Sequence, residues 1–145
     1  MVSPVGDHPI GTFICYESVF PNFVRKFAAG GAQVLINISN DGWFGKSAAR
    51  EQHLSMVRMR AAENRRWILR STNDGITATI DSAGRLRGTL PLYTEATSYT
   101  GFNYVNSQTV YTRFGDWFPL LCAMAALLAL VAAPVTDYYR SEPRP

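Results

Sequence analysis

Residues 117–135 read WFPLLCAMAALLALVAAPV without one charged side chain, and no other stretch restricts the chain so tightly. At about 1.5 Å of rise per residue, a helix of that length nearly spans a hydrocarbon layer of roughly 30 Å. Arg113 and Asp116 bound the run on one side and Asp137 and Arg140 on the other, with Trp117, Tyr138 and Tyr139 placed as an aromatic interfacial belt would be. An alanine-rich core helix is the alternative, and Pro119 and Pro134 weaken the run. Length and flanks favour a C-terminal transmembrane helix over residues 113–140, followed by a tail at 141–145. Lys/Arg bias then places Arg140 and Arg144 on the cytoplasmic side and residues 1–112 outside.

Ahead of that run the chain alternates strand and helix signals. Residues 1–9 are turn-rich. Residues 11–15 form a short apolar strand, and Pro21 to Ala29 has helical spacing (Phe23, Val24, Phe27) that ends on Gly30-Gly31. Residues 33–39 (QVLINIS) read as a buried strand, 40–47 (NDGWFGKS) as a loop, and 48–66 as a long helix with Leu54, Val57, Met59 and Ala61 on or near one face. Strands follow at 67–72 and 76–81, joined through Asn73-Asp74-Gly75, and a last one at 86–90. That order predicts an α/β domain over 1–112, with helices packed on a sheet.

Charge and cysteine usage exclude several classes. The 14 Lys/Arg residues outnumber the 11 Asp/Glu only slightly and are scattered; Arg65, Arg66 and Arg70 come closest to a cluster, at a helix end and on the following strand. A nucleic-acid binder concentrates its basic residues on one face, so no nucleic-acid partner is expected. Cys15 and Cys122 stand far apart, and no Cys or His pair has metal-ligand spacing, so neither a disulfide framework, a metal nor another cofactor is expected. His8 and His53 read as isolated histidines.

The chemistry concentrates at FICYES, residues 13–18. An apolar approach through Ile10, Phe13 and Ile14 delivers Cys15 and then turns polar at once. Cys15 is either a small core residue at a strand end or a nucleophile at a strand-to-helix elbow. In the second case backbone N–H groups and the positive end of the next helix would favour the thiolate and an oxyanion.

GTFICYESVFP, then LINISNDGWFGKS, then REQHLSMVRMRAAENRRWILRSTNDGITATID and the closing apolar run together resemble the bacterial apolipoprotein N-acyltransferases, a membrane branch of the nitrilase (carbon–nitrogen hydrolase) superfamily. The resemblance covers most of the chain from Gly11 onward. It implies the C-terminal part of a nitrilase-like αββα sandwich facing the periplasm, followed by a transmembrane helix in the bacterial inner membrane. It implies a ping-pong reaction: Cys15 takes an acyl chain from a phospholipid as a thioester and passes it to the N-terminal amine of a diacylglyceryl-cysteine apolipoprotein. Tyr16 and Glu17 would then shape the nucleophile elbow, and Trp43 and Phe44 would be the mobile aromatic loop at the lipid entrance.

Each residue also has a plainer reading: Tyr16 a half-buried strand-end tyrosine, Glu17 a first-turn carboxylate, Trp43 and Phe44 a plug over the core, Lys46 a solvated loop lysine. Ser39, Asn40 and Asp41 read as turn-formers. The superfamily's Glu and Lys lie well upstream of its cysteine, whereas the fourteen residues before Cys15 include neither. The chain is therefore expected to be part of a larger enzyme and inactive alone. Two rival readings use the same residues. One is a nitrilase-type amidase acting through Cys15, against which residues 117–135 argue. The other is a catalytically incompetent, membrane-anchored remnant.

Overall fold

The computed structural model describes residues 2–140, and for 2–5 and 133–140 it describes the backbone course alone. The tail expected at 141–145 lies outside the described residues. The chain divides into two compact units, Met1–Gly115 and Asp116–Pro145.

The first unit is one six-stranded mixed sheet with strands in chain order: β1 (Val2–Val5), β2 (His8–Ile14), β3 (Val34–Asn40), β4 (Trp67–Asn73), β5 (Ala78–Ile80) and β6 (Leu86–Thr89). β2, β3 and β4 are parallel neighbours, while β1 and the β4–β5–β6 run pair antiparallel. Helix α1 (Pro21–Ala29) makes the β2–β3 crossover and α2 (Ala49–Asn64) the β3–β4 crossover, as parallel pairing requires.

Alternation decides which strand residues meet the helices. Gly11 and Phe13 of β2, Leu35 and Asn37 of β3, and Ile68 and Arg70 of β4 are all buried. Val24 and Phe27 of α1 and Leu54, Val57 and Ala61 of α2 join Phe13, Leu35 and Ile68 in one apolar core. Each of these side chains larger than alanine contributes about 2 kcal/mol by leaving water. Gly11 is required for this contact, because a Cβ there would lie 2.7 Å from Phe27 Cβ. Met59, expected near the buried stripe, is 56% exposed; the stripe runs through His53, Leu54, Val57, Arg60, Ala61 and Asn64 instead. The other face of the sheet carries Ile14 and Ile38, both more than half exposed. The described residues thus form an α/β fold of one helix layer on one mixed sheet, with no second sheet facing it.

Two expectations need correction. Residues 2–5, expected to be turn-rich, are a strand: they pair with β2 through a tight Gly6-Asp7 turn in which Gly6 has φ +61°. The helix expected to run to Arg66 stops at Arg65, whose left-handed φ of +48° ends it. Arg66 and Arg70 are buried inside the domain and offer no basic surface; Arg66 instead ties Ala32 and Ser107 together through their carbonyls, each at 2.6 Å.

The second unit holds α4 (Trp117–Arg140), preceded by the short α3 (Val110–Phe114) at the end of the first. Residues 117–132 are all exposed, Cys122 among them. The expected transmembrane helix is not supported: among the described residues, no helix is long and apolar enough to cross a membrane.

Candidate active site

Strand β2 ends at Ile14, and the next residue turns sharply. Cys15 has φ +49°, the left-handed region that costs a side-chain-bearing residue roughly 1–2 kcal/mol. Local bonds hold the turn. Ile14 N–H donates to Glu17 Oε2 at 2.6 Å, and Phe20 N–H donates to the Glu17 carbonyl at 3.1 Å. The Cys15 carbonyl accepts from Ser18 Oγ at 3.0 Å and lies 3.2 Å from His53 Nε2. Glu17 is thus spent on the backbone of the turn. Tyr16 is 55% exposed, its ring edge-on to Phe20 and tilted against His53. After Cys15 comes a single 3-10 turn, Cys15–Val19, and α1 begins only at Pro21. The expectation that a helix terminus sits directly behind the sulfur is therefore corrected.

The sulfur is partly exposed, 3.9 Å from the Asn40 carbonyl, and opens into a cleft of about 610 Å³ lined by Ile14, Ile38, Asn40, Thr72 and Asn73. The cleft lies at the C-terminal ends of the three parallel strands, where ligands of open α/β sheets bind.

Beneath the turn is a buried polar knot. Parallel register pairs Asn37 with Arg70. Arg70 donates from Nη1 to Asn37 Oδ1, from Nε to the Ile76 carbonyl at 3.2 Å, and from Nη2 to Asp41 Oδ2 at 2.5 Å. Asp41 Oδ1 accepts from Ser39 Oγ at 2.6 Å and faces His53 Nδ1 at 3.0 Å. His53 Nε2 meets Ser18 Oγ at 2.8 Å. Every member is buried, and such groups persist in a core only when paired. Gly75 packs directly on the Asp41 carboxylate; a Cβ there would fall 2.7 Å from Asp41 Cβ.

Burial alone would push the Asp41 carboxyl up, but hydrogen bonds to His53 and Ser39 and the charge of Arg70 outweigh it and hold it at about 2. Burial likewise pulls the Arg70 guanidinium down, opposed by the Asp41 carboxylate and the Cys15 sulfur. Acid should therefore weaken the fold in a defined window. The unfolded Asp41 titrates near 4 and the folded one near 2, so its stabilisation is complete above pH 4 and is lost as pH falls from 4 to 2. Asp81, held at about 2 by backbone N–H groups and by Arg85 and Arg87 against the cost of its burial, moves the same way. Urea unfolding at pH 5 and pH 2 should differ by about 2 kcal/mol from Asp41 alone; equal midpoints would show that the carboxylate is not held so low.

Residues 40–47 leave β3 through a 3-10 turn, Asp41–Phe44, whose first N–H groups are capped by Asn40: Gly42 N–H donates to Asn40 Oδ1 at 3.1 Å. Trp43 projects into solvent at 88% exposure, so it plugs nothing. Phe44 turns inward, edge-on to His53 at 5.6 Å. Lys46 and Arg50 lie over the ring of Tyr93, and Arg50 donates to its hydroxyl at 2.6 Å. Of the sequence-derived residues, Cys15, Tyr16 and Glu17 share the turn, Phe44 reaches it through His53, and Trp43 stands apart. Asp41, His53 and Arg70, which read from the sequence as a turn-former, an isolated histidine and a scattered cation, meet beneath the turn. Two signals mark them: an arginine inside the apolar WILR stretch, and a histidine in register with Val57 and Ala61.

The Carbon-nitrogen hydrolase family model matches residues 2–110. The chain is 42% identical over 128 residues to the apolipoprotein N-acyltransferase of Geobacter metallireducens, covering 88% of this chain and 24% of that one. It is 40% identical over 129 residues to the Pseudomonas putida enzyme of the same name, at 88% and 25% coverage. This chain thus spans about a quarter of the length of the curated relatives it matches. Among solved structures it resembles the amidase from Nesterenkonia sp. AN1, with a TM-score of 0.53 and 23% identity over 63% of this chain and 38% of that one. That likeness bears on the fold alone, and it agrees with the sheet described above. By the span of the family match and the fold, the chain belongs to the carbon-nitrogen hydrolase family.

Proposed function

We propose that this chain is the nucleophile-bearing part of an apolipoprotein N-acyltransferase, with Cys15 as the residue that carries the acyl chain. The observation that carries the reading is the left-handed turn at Cys15, which sets a thiol at the mouth of a cleft over three parallel strand ends. In this reading the thiolate attacks the ester carbonyl of a phospholipid, the lysolipid alkoxide leaves with a proton, and a thioester remains. The free amine of a diacylglyceryl-cysteine apolipoprotein then attacks the thioester carbonyl, forms the amide and returns the thiol. A thioester suits this order of events, because sulfur leaves readily when an amine attacks.

Among the described residues, no carboxylate or lysine is hydrogen-bonded to the Cys15 sulfur, and Glu17 is committed to the Ile14 N–H. In this reading the glutamate base and oxyanion lysine that the resemblance requires come from outside these contacts, and the chain alone is proposed to be inactive. The site of action we propose is the bacterial inner membrane with Cys15 facing the periplasm. This rests on the resemblance and the relatives' names rather than on α4. The amidase reading has only the fold of its solved neighbours behind it, whereas the relatives near 40% identity are named as acyltransferases.

The test uses the product of the whole reading frame, phospholipid with a labelled acyl chain, and a diacylglyceryl-cysteine peptide. Label should appear on the tryptic peptide containing Cys15 and move to the peptide amine when acceptor is added. Release of free fatty acid or hydrolysis of small amides without transfer would favour the amidase.

Trp43 gives a separate expectation. If it meets the lipid, Trp43→Ala should slow transfer from phospholipid several-fold while shifting the melting temperature by no more than about 2 °C, as befits a surface substitution worth within ±0.5 kcal/mol. A large drop in melting temperature would make it a packing residue instead.

A further inference from the structure

The carbonyl of Cys15 has two donors that reach it from opposite directions in the chain. Ser18 Oγ approaches from three residues downstream at 3.0 Å, and His53 Nε2 approaches from α2 at 3.2 Å. A carbonyl oxygen has two lone pairs and no proton, so it can use both donors. The pair also touch each other at 2.8 Å. One proton arrangement serves all three contacts. The Ser18 hydroxyl points its hydrogen at the Cys15 carbonyl, and His53 carries one proton on Nε2, facing the carbonyl and the serine lone pair, and one on Nδ1, facing Asp41 Oδ1.

His53 has little freedom to do anything else. It is 2% exposed. Its Nδ1 lies 3.0 Å from Asp41 Oδ1 and 3.3 Å from Arg70 Nη2, and the rings of Phe44 and Tyr16 flank it. One nitrogen is anchored in the buried knot and the other grips the backbone of the nucleophile. The gripped residue is held in the left-handed region at φ +49°, a conformation that persists only where surrounding contacts over-determine it. His53 has no hydrogen bond to the sulfur, whose own contact is the Asn40 carbonyl; it acts through the main chain.

We propose that His53 is a positioning residue for the nucleophile: its Nε2–H, with the Ser18 hydroxyl, holds the Cys15 carbonyl and so keeps the turn that presents the sulfur to the cleft. This rests on Cys15 being the acyl carrier. The buried knot is then a foundation rather than a proton relay: Arg70 and Asp41 fix the imidazole, and the imidazole fixes the elbow.

The test is made on the chain with Cys122→Ser, so that Cys15 is the one thiol. His53→Asn keeps a donor for Asp41 but is too short to reach the Cys15 carbonyl, whereas His53→Gln presents an amide N–H at about the distance of Nε2. The Cys15 Cα and Cβ chemical shifts report its backbone conformation, and alkylation by iodoacetamide reports presentation of the sulfur. Each variant is read well below its own melting temperature. In His53→Asn the Cys15 shifts should move out of the left-handed range and alkylation should slow at least fivefold, with His53→Gln returning to within twofold of the parent. Unchanged shifts and rate in a folded His53→Asn, whatever its melting temperature, would make His53 a core-filling residue and overturn the proposal. If neither variant folds, the imidazole ¹⁵N spectrum of the parent decides: a proton on Nε2 supports the clamp, and a bare Nε2 sinks it. No acyl donor is needed for these readings. Absence of an acyl adduct on Cys15 would therefore defeat the proposed function alone, and an adduct with unmoved shifts in His53→Asn would defeat this inference alone.

Discussion

Replacing Cys15 with serine should abolish the hydroxylamine-sensitive acyl adduct formed from phospholipid by the product of the whole reading frame, and with it all transfer to apolipoprotein. The two side chains are nearly the same size, so the turn and its bonds to Ser18 and Glu17 remain. What changes is the chemistry. A free thiol is a few per cent ionised at neutral pH and is intrinsically a strong nucleophile, whereas a hydroxyl needs its proton removed during attack. Nothing at the Cys15 sulfur among the described residues is placed to do that. An oxygen ester, were it to form, would also resist the amine that must displace it. Losses of a thousandfold or more are usual when a nucleophile is removed, which puts residual transfer below detection. Mass spectrometry of the peptide containing Cys15 reads the result directly. An adduct that survives Cys15→Ser, or appears on another residue, would end the assignment of Cys15 as acyl carrier.

Arg70→Leu should have the largest effect on stability, about 3–5 kcal/mol, because it removes one side of a fully buried ion pair and leaves the other uncompensated. Asp41 would keep Ser39 and His53 but lose the 2.5 Å bond from Nη2, and Asn37 Oδ1 would lose the donor Arg70 supplies. The melting temperature should fall by roughly 15 °C or more for a domain of this size. Arg70→Lys should recover little, since one ammonium cannot reach the Asn37, Asp41 and Ile76 acceptors that the planar guanidinium serves at once. The double variant Arg70→Leu, Asp41→Leu should be more stable than Arg70→Leu alone, with a coupling of at least 1 kcal/mol in a double-mutant cycle. Additive losses would show that the two groups do not depend on each other.

The apolar pattern made most of the fold legible. Pro21–Ala29 is the helix its spacing predicts, and the strands at β2, β3, β4 and β6 lie within a few residues of their expected bounds. β5 is shorter than expected, because Asp74 takes the left-handed turn at φ +55° and pairing resumes only at Ala78. Cys15 was legible because strand, thiol and polar turn are consecutive. The knot beneath it was not, for a physical reason: Asp41, His53 and Arg70 come from a loop, a helix and a strand, and only the parallel register of β3 with β4 brings them together. Read one at a time, they look like a turn-former, a stray histidine and one more scattered cation. The membrane span that composition and flanks suggest for the long apolar run is not supported by any helix among the described residues.

Assembly order follows from where the knot draws its charges. Asp41 and His53 emerge before Trp67 opens β4, and the cation that neutralises Asp41 arrives only with Arg70. A parallel pair cannot zip from a hairpin; its whole crossover must be made and docked before the first ladder bond forms, which makes such contacts late ones. A nascent chain that has passed Cys15 by fifty residues therefore still lacks the support that keeps its elbow turned. On the proposed reading, Cys15 is made before the arginine that supports its turn, so a chain that has not completed the sheet would hold an ordinary cysteine.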